Sequence, residues 1–421
     1  MDDLKDVQKK SPVEEGQEQA TSRLVEELAS KPGAIQPRVA ASHLDHDEAS
    51  HGVIPPYMLE EMIKRDPSVK AHERTLTHIE NQVWWWPFPW PKPSTPPNGE
   101  REVYDAKGKT SSPGTKARFE GDKATGNDEV DNAYDYTGQV RSFYKDVFNR
   151  NSIDGNGMKF VSTVNYGNNY ENAFWNGKQM TYGKPGPDSP FKTFVLLDVC
   201  GHEITHGVTE KESGTRYYGQ AGALNESFSD VFGELIEQRA KNQDAKDANW
   251  VVGDGIWKDT VKGRGLRDML NPGTAYDDPK VGKDPQPDHM SKYKKMSGDN
   301  GGVHYNSGIP NRAFATFAID LGGHAWEGPG KIWYAARKAA GSNPSFAQFA
   351  YHTIEEAKKQ GHDAATVAKL EKAWDTVGVK PSATATDTDT PFKPRVSRPG
   401  SPQPPQPEEK DDKPKAKKPA A

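Results

Sequence analysis

Residues 198–207 read DVCGHEITHG. His202 and His206 stand four apart. On a helix they share one face, so both imidazoles can reach one tetrahedral Zn²⁺. Glu203 adjoins the first of them. It can lie beside such a metal without ligating it, placed to take a proton from an attacking water. A surface helix with two solvated histidines carries the same letters, so the pattern needs partners elsewhere in the chain.

A catalytic zinc takes three protein ligands and keeps one position open. Residues 225–230, NESFSD, offer Glu226 as the third ligand, at the start of a second amphipathic pattern. Asp230 follows one helical turn later on the same face, where it can accept the free N–H of a ligating histidine. Neighbouring Asn225 is expected to support the ligands in the same way. Cys200 falls roughly 200° around the helix from His202 and reads as a small buried hydrophobe. It is the only cysteine, so the fold rests on packing or metal ions and not on an internal disulfide.

Composition bounds the rest. A chain of 421 residues suggests two or three domains. The formal net charge of -5 argues against a nucleic-acid partner, which calls for a basic surface. No apolar run reaches the roughly 20 residues of a membrane span. The first residues, MDDLKDVQKKSPVEEGQEQ, lack the apolar centre of a secretory signal, so the default expectation is the cytoplasm or export by a leaderless route. Hydrophobic residues make up 33% of the chain, which points to unfolded segments around a folded body.

Residues 1–50 are polar and charged and are expected to be disordered. VIPPYMLEEMIK, 53–64, reads as one short amphipathic helix opened by two prolines, within a segment 51–82. VWWWPFPWPKPSTPP, 83–97, excludes a regular helix or central strand and reads as a linker over 83–99. A tail over 380–421 is rich in Pro and charge and is expected to be disordered. Between them, DNAYDYTGQVRSFYKDVFNR has helical spacing, and Asn176-Gly177 lies between two extended runs as a hairpin signal. From Phe191 onward helical patterns dominate. The body is thus β-rich over 100–195 and mostly α over 196–379.

GHEITHGVTE, ALNESFSDVFGE and DNGGVHYNSGIPNRAF, in this order and with NAFWNGKQMTYG upstream, resemble the thermolysin-like metallopeptidases. The 24 positions from His202 to Glu226 match that family's spacing. The resemblance implies an α+β, two-domain zincin, with a β-rich N-terminal domain, a helical C-terminal domain and the zinc helix between them. It implies a neutral zinc metalloendopeptidase with His202, His206 and Glu226 on one zinc, and Glu203 as general base. His304 and Tyr217 would stabilise the oxyanion. Asp299 would orient His304, and Asp230 would orient His202. Asn172 and the carbonyl of Ala173 would hold substrate backbone, and Arg267 a substrate carbonyl beyond the scissile bond. Val199 and Leu266 would line a pocket for a bulky apolar residue after that bond. Tyr217 is selected over Tyr218 only by register against the family, and His289 reads as structural.

The family also binds structural calcium. Asp198, Glu237, Asn249 and Asp254 fall near the matching positions. Extra residues in AKNQDAKDANW, and Val251 where the pattern carries a carboxylate, leave one ion or none as open as two. Two other readings stay open: an inactive homologue serving as a binding module, and an interaction protein working through WWWPFPWP and the tail. Finally, VIPPYMLEEMIK resembles the short propeptide of the protealysin-like branch. That implies an inactive precursor, with Pro55, Pro56, Tyr57, Met58, Leu59 and Met62 packed near the cleft in cis. Peptides or proteins are the expected substrates, and a monomer the expected state.

Overall fold

The computed structural model describes residues 51–82 and 99–387. The expected disorder of the leader, the tryptophan run of the linker and the end of the tail lie outside those residues. The mean hydropathy of -0.91 is low, yet the described residues hold one large buried apolar cluster.

The sheet comes first. Strands β1 (His51–Gly52), β2 (Arg101–Asp105), β3 (Thr115–Phe119), β4 (Phe160–Tyr166), β5 (Ala173–Trp175) and β6 (Met180–Gly183) form one mixed sheet in the order β1-β5-β6-β4-β2-β3. The expected hairpin joins β5 to β6. Asn176 Oδ1 accepts from the N–H groups of Lys178 and Gln179, and Gly177 takes a φ of 84° that a side chain would oppose. Helix α3 (Asp128–Phe148) covers the sheet, capped by the Asn127 side chain and ended by Asn149 in the left-handed region. Val140, Phe143 and Tyr144 are buried along its expected apolar face.

Two helices precede it, where the sequence suggested only one. α1 (Pro56–Arg65) starts with a proline at its first turn, which needs no backbone N–H there. α2 (Lys70–Gln82) follows after a four-residue turn. Val53, Ile54, Met58, Leu59 and Met62 are buried in the main core cluster together with residues of the catalytic body.

The second half is helical. α4 (Leu197–Ser213) and α5 (Gly219–Lys241) pack closely. They meet at Gly201 and Gly233, where a methyl group on Gly233 would stand 2.5 Å from the Asp198 carbonyl. Glycine on both helices thus sets how near their backbones come. α6 (Asp299–Asn306), α7 (Gly308–Leu321), α8 (Pro329–Ala339), α9 (Phe346–Lys359) and α10 (Ala364–Thr376) complete the domain. β7 (Val251–Val252) pairs with β8 (Arg267–Asp268), and β9 (Asp277–Asp278) with β10 (Gly282–Lys283), between the two groups of helices.

The tail departs from expectation at its start. Residues 380–387 pack on the body: Ser382 N–H bonds the Ala347 carbonyl, and the Ser345 hydroxyl bonds the Ala385 carbonyl at 2.6 Å. Asp387 then caps the first turn of α5, accepting from Gln220 N–H at 3.0 Å and from the Gln220 side chain at 3.1 Å. Low hydrophobicity hid this, because the anchoring is by hydrogen bonds. Among the described residues, no helix is long and apolar enough to cross a membrane.

Candidate active site

α4 carries His202, Glu203 and His206, and α5 carries Asn225, Glu226 and Asp230. All six side chains are buried. One ligand atom from each of His202, His206 and Glu226 lies within 4.8 Å of the others. His202 Nε2 and His206 Nε2 stand 3.1 Å apart, and they lie 3.5 and 3.4 Å from the two Glu226 oxygens. Asp230 Oδ1 sits 2.8 Å from His202 Nδ1, and Asn225 Oδ1 sits 2.9 Å from His206 Nδ1. These acceptors favour protons on both Nδ1 atoms, which leaves both Nε2 lone pairs facing one another. That is an unfavourable pair unless a cation sits between them. A tetrahedral zinc with bonds near 2.05 Å would set the two nitrogens roughly 3.3 Å apart. Glu226 Oε2 is buried with no hydrogen-bond partner, as a ligand atom would be. The donor set therefore fits zinc.

The electrostatics agree with that fit. Burial pushes the imidazole of His202 down to about 4 and that of His206 to about 3, so both are neutral, as ligation requires. Burial, followed by the nearby Glu226, raises the Glu203 carboxyl well above its usual range. Its Oε2 accepts the Trp175 N–H of β5 at 2.9 Å, while its Oε1 has no partner. Burial opposes ionisation of Asp230, but Arg267 and His202 outweigh it and hold the carboxyl well below its usual range. Arg267 makes a two-armed pair with Asp230 at 2.9 and 2.7 Å, and Asn311 adds a third bond at 2.8 Å.

His304 and Tyr217 face the same centre. Asn300, Gly301 and Gly302 have positive φ and break α6, and His304 after them is buried. Asp299 Oδ1 lies 2.6 Å from His304 Nδ1, and Gln286 holds the His304 carbonyl at 2.7 Å. Burial favours a neutral His304 ring, but Glu226 and Asp299 outweigh it and raise it to about 9. The Tyr217 hydroxyl meets Glu226 and lies 3.3 Å from His304 Nε2. Tyr218 is the residue that precedes α5. His289 caps a short 3₁₀ turn, and Cys200 is buried with its thiol raised by burial to about 11.

Asn172 and Ala173 lie at β5, and the segment they hold is the chain's own. Ile54 N–H donates to Asn172 Oδ1 at 2.8 Å, Asn172 Nδ2 donates to the Ile54 carbonyl at 3.2 Å, and Val53 N–H donates to the Ala173 carbonyl at 3.0 Å. Arg267 Nη1 donates to the Val53 carbonyl at 3.2 Å. Val199 and Leu266 are fully buried in the same apolar cluster as Val53. Val53 and Ile54 had been given no role. The signal was present: a residue before proline is pushed to extended backbone, and an apolar pair there reads as a strand. Trp175 and Asn311 left no such trace.

Two of the residues expected at calcium, Asp198 and Glu237, come together. The acidic group that converges is Asp198, Glu234 and Glu237, not a set with Asp254. Asn249 and Asp254 instead hydrogen-bond each other at 2.8 Å near the surface. Glu234, four residues after Asp230 on the same helix face, completes that acidic group. Lys241 pairs with Glu237 at 2.8 Å.

Residues 94–210 match the family model of the thermolysin metallopeptidase catalytic domain, and 213–379 that of its alpha-helical domain. The chain belongs to the thermolysin metallopeptidase family. It is 45% identical over 336 residues to an "Extracellular metalloprotease" of Pectobacterium carotovorum subsp. carotovorum, covering 78% of this chain and 96% of that one. It is 38% identical to the "Extracellular minor metalloprotease" of Serratia marcescens, over 66% of this chain and 79% of that protein. The solved "Precursor of Protealysin, Metalloproteinase from Serratia proteamaculans" superposes with a TM-score of 0.72 at 44% identity, covering 78% of this chain and 99% of that one. This thermolysin-family protein is therefore a zinc metalloendopeptidase with a precursor form, built from a sheet-containing N-terminal domain and a helical C-terminal domain. The cytoplasmic default is overturned by the relatives named as extracellular.

Proposed function

We propose that this zinc metalloendopeptidase cuts peptide bonds on the N-terminal side of bulky hydrophobic residues, with Glu203 as general base, and that residues 51–82 hold it latent in cis. The observation that carries the reading is the convergence of His202, His206 and Glu226 beside the unpartnered Glu203 Oε1. When bound by those three residues, zinc supplies Lewis-acid polarisation and lowers the pKa of water. Glu203 takes the proton of the attacking water and returns it to the leaving amine. His304, held by Asp299, donates to the developing oxyanion together with the Tyr217 hydroxyl. Asp230 and Asn225 orient the two histidines. Asn172, Ala173 and Arg267 fix the substrate backbone, and Val199 and Leu266 favour an apolar residue after the cut.

Latency follows from the same contacts. Val53 and Ile54 engage Asn172, Ala173 and Arg267, so an outside substrate cannot. Buried Met58, Leu59 and Met62 on α1 add roughly 1.5–3 kcal/mol each by leaving water. Asp198, Glu234 and Glu237 would hold one divalent cation, calcium by the chemistry of three carboxylates. The deciding assay is hydrolysis of casein and of a peptide with a central leucine after the precursor is cleaved between 66 and 101. Activity that disappears with a zinc chelator and in Glu203→Ala supports the reading. Hydrolysis that persists in Glu203→Ala refutes it, as does an uncleaved chain that is already fully active.

A further inference from the structure

We propose that the Gly52–Val53 peptide bond is an internal processing site, held in scissile register and cut in cis by the same active site; this rests on the functional reading above. β1 adds to the sheet antiparallel to β5, with Gly52 opposite Phe174 and His51 opposite Trp175. The register is fixed by backbone bonds on consecutive residues. Val53 N–H meets the Ala173 carbonyl at 3.0 Å, on the strand whose Trp175 N–H binds Glu203 Oε2 at 2.9 Å. Val53 C=O meets Arg267, and both backbone groups of Ile54 meet Asn172. A nitrogen held on the strand that also binds the general base is where the leaving amine belongs, so the bond on its N-terminal side is the one presented. Gly52 suits the position, because a methyl group there would stand 2.5 Å from Asn172 Nδ2.

The step balances as ordinary hydrolysis. Water oxygen bonds the Gly52 carbonyl carbon, the C–N bond breaks, and Glu203 passes its proton to the Val53 nitrogen. Gly52 leaves as a carboxylate, and Val53 keeps a new ammonium group beside Glu203. Nothing else that anchors the segment is lost. Ile54, Met58, Leu59 and Met62 stay buried, and α2 stays tied by the His72–Glu171 pair and by Thr75, whose hydroxyl accepts the Glu171 N–H at 2.9 Å. The first cut therefore frees residues 1–52 without freeing activity.

The test uses the full chain with zinc, followed by intact mass and N-terminal sequencing. The expected product begins at Val53, forms at a rate independent of protein concentration over a 100-fold range (roughly, the span that separates cis from trans), and hydrolyses added peptide no faster than before. Glu203→Ala stops its formation. Val53→Asp, which forces a charge into an apolar site, slows it roughly 100-fold or more, whereas Val53→Leu keeps it. A readout free of zinc is hydrogen exchange on the metal-free chain: the Val53 and Ile54 amides are protected, and Asn172→Ala exposes them. Unprotected amides overturn the register. So does a zinc-loaded chain without a Val53 terminus whose sample, nicked by trace subtilisin, hydrolyses a leucine peptide. A nicked sample with no hydrolysis overturns the functional reading, and this inference with it.

Discussion

Helices α4 and α5 build two buried acidic clusters from neighbouring turns, and the two differ in how their charge is met. At one, Asp230 faces His202, Arg267 and Asn311, and its carboxyl is held well below the usual range. At the other, burial and then Glu237 push Asp198 up to about 7, and burial and then Asp198 raise Glu234 well above its usual range. Lys241 is the cation paired there, and it is half-exposed. Burial is common to both, so burial alone does not decide ionisation. The partner does. The first cluster comes with its own cation in Arg267, while the second keeps protons until another cation arrives.

The largest effect comes from breaking the paired cluster. Asp230→Ala leaves Arg267 charged and uncompensated inside the protein, which costs about 3–5 kcal/mol in stability. It also frees the His202 ring, so zinc affinity falls about 10–100-fold. Denaturant melts and zinc titration measure the two separately, and an unchanged melt contradicts the pairing argument.

The unpaired cluster responds to conditions. Asp198 binds its proton more tightly folded than unfolded, so folded stability without calcium falls as pH rises from about 4 through 7. Calcium removes that slope and stabilises by about 2.7 kcal/mol at a hundredfold excess over its dissociation constant. Melting curves over pH, with calcium and with a calcium chelator, read this directly. A flat profile in both would contradict it. Glu234→Gln sharpens the contrast. Burial already favours the neutral form of Glu234, so a neutral amide changes calcium-free stability by less than about 1 kcal/mol, while the gain from calcium is lost.

The smallest effect concerns the far end of α5. Asp387→Ala removes the cap on Gln220 N–H and costs about 1 kcal/mol. The same change leaves the pH profile of the carboxylate cluster as it was.

These contacts also show what a sequence can and cannot disclose. His202, Glu203 and His206 are legible because a helix fixes their spacing, and Glu226 and Asp230 because a second helix repeats the rule. Arg267 is legible only as a substrate contact by resemblance. Its pairing with Asp230, 37 residues away, depends on how β8 meets α5. The Asn172–Ile54 bond spans 118 residues, and β1 is two residues long, too short for any alternation to register. Polar docking, as at Asp387 or between His72 and Glu171, leaves no hydrophobic period at all. What local geometry fixes could be read, and what tertiary pairing fixes could not.

β5 has a further meaning once β1 is considered as something that leaves. With β1 in place, β5 is an inner strand of the sheet. Without it, three apolar residues, Ala173, Phe174 and Trp175, become an open edge with unpaired backbone groups. Such an edge invites strand addition by other chains. The strand that covers β5 therefore also keeps that edge from other chains. Its departure moves the sheet edge from a two-residue strand to an apolar three-residue one, which a peptide substrate can then cover.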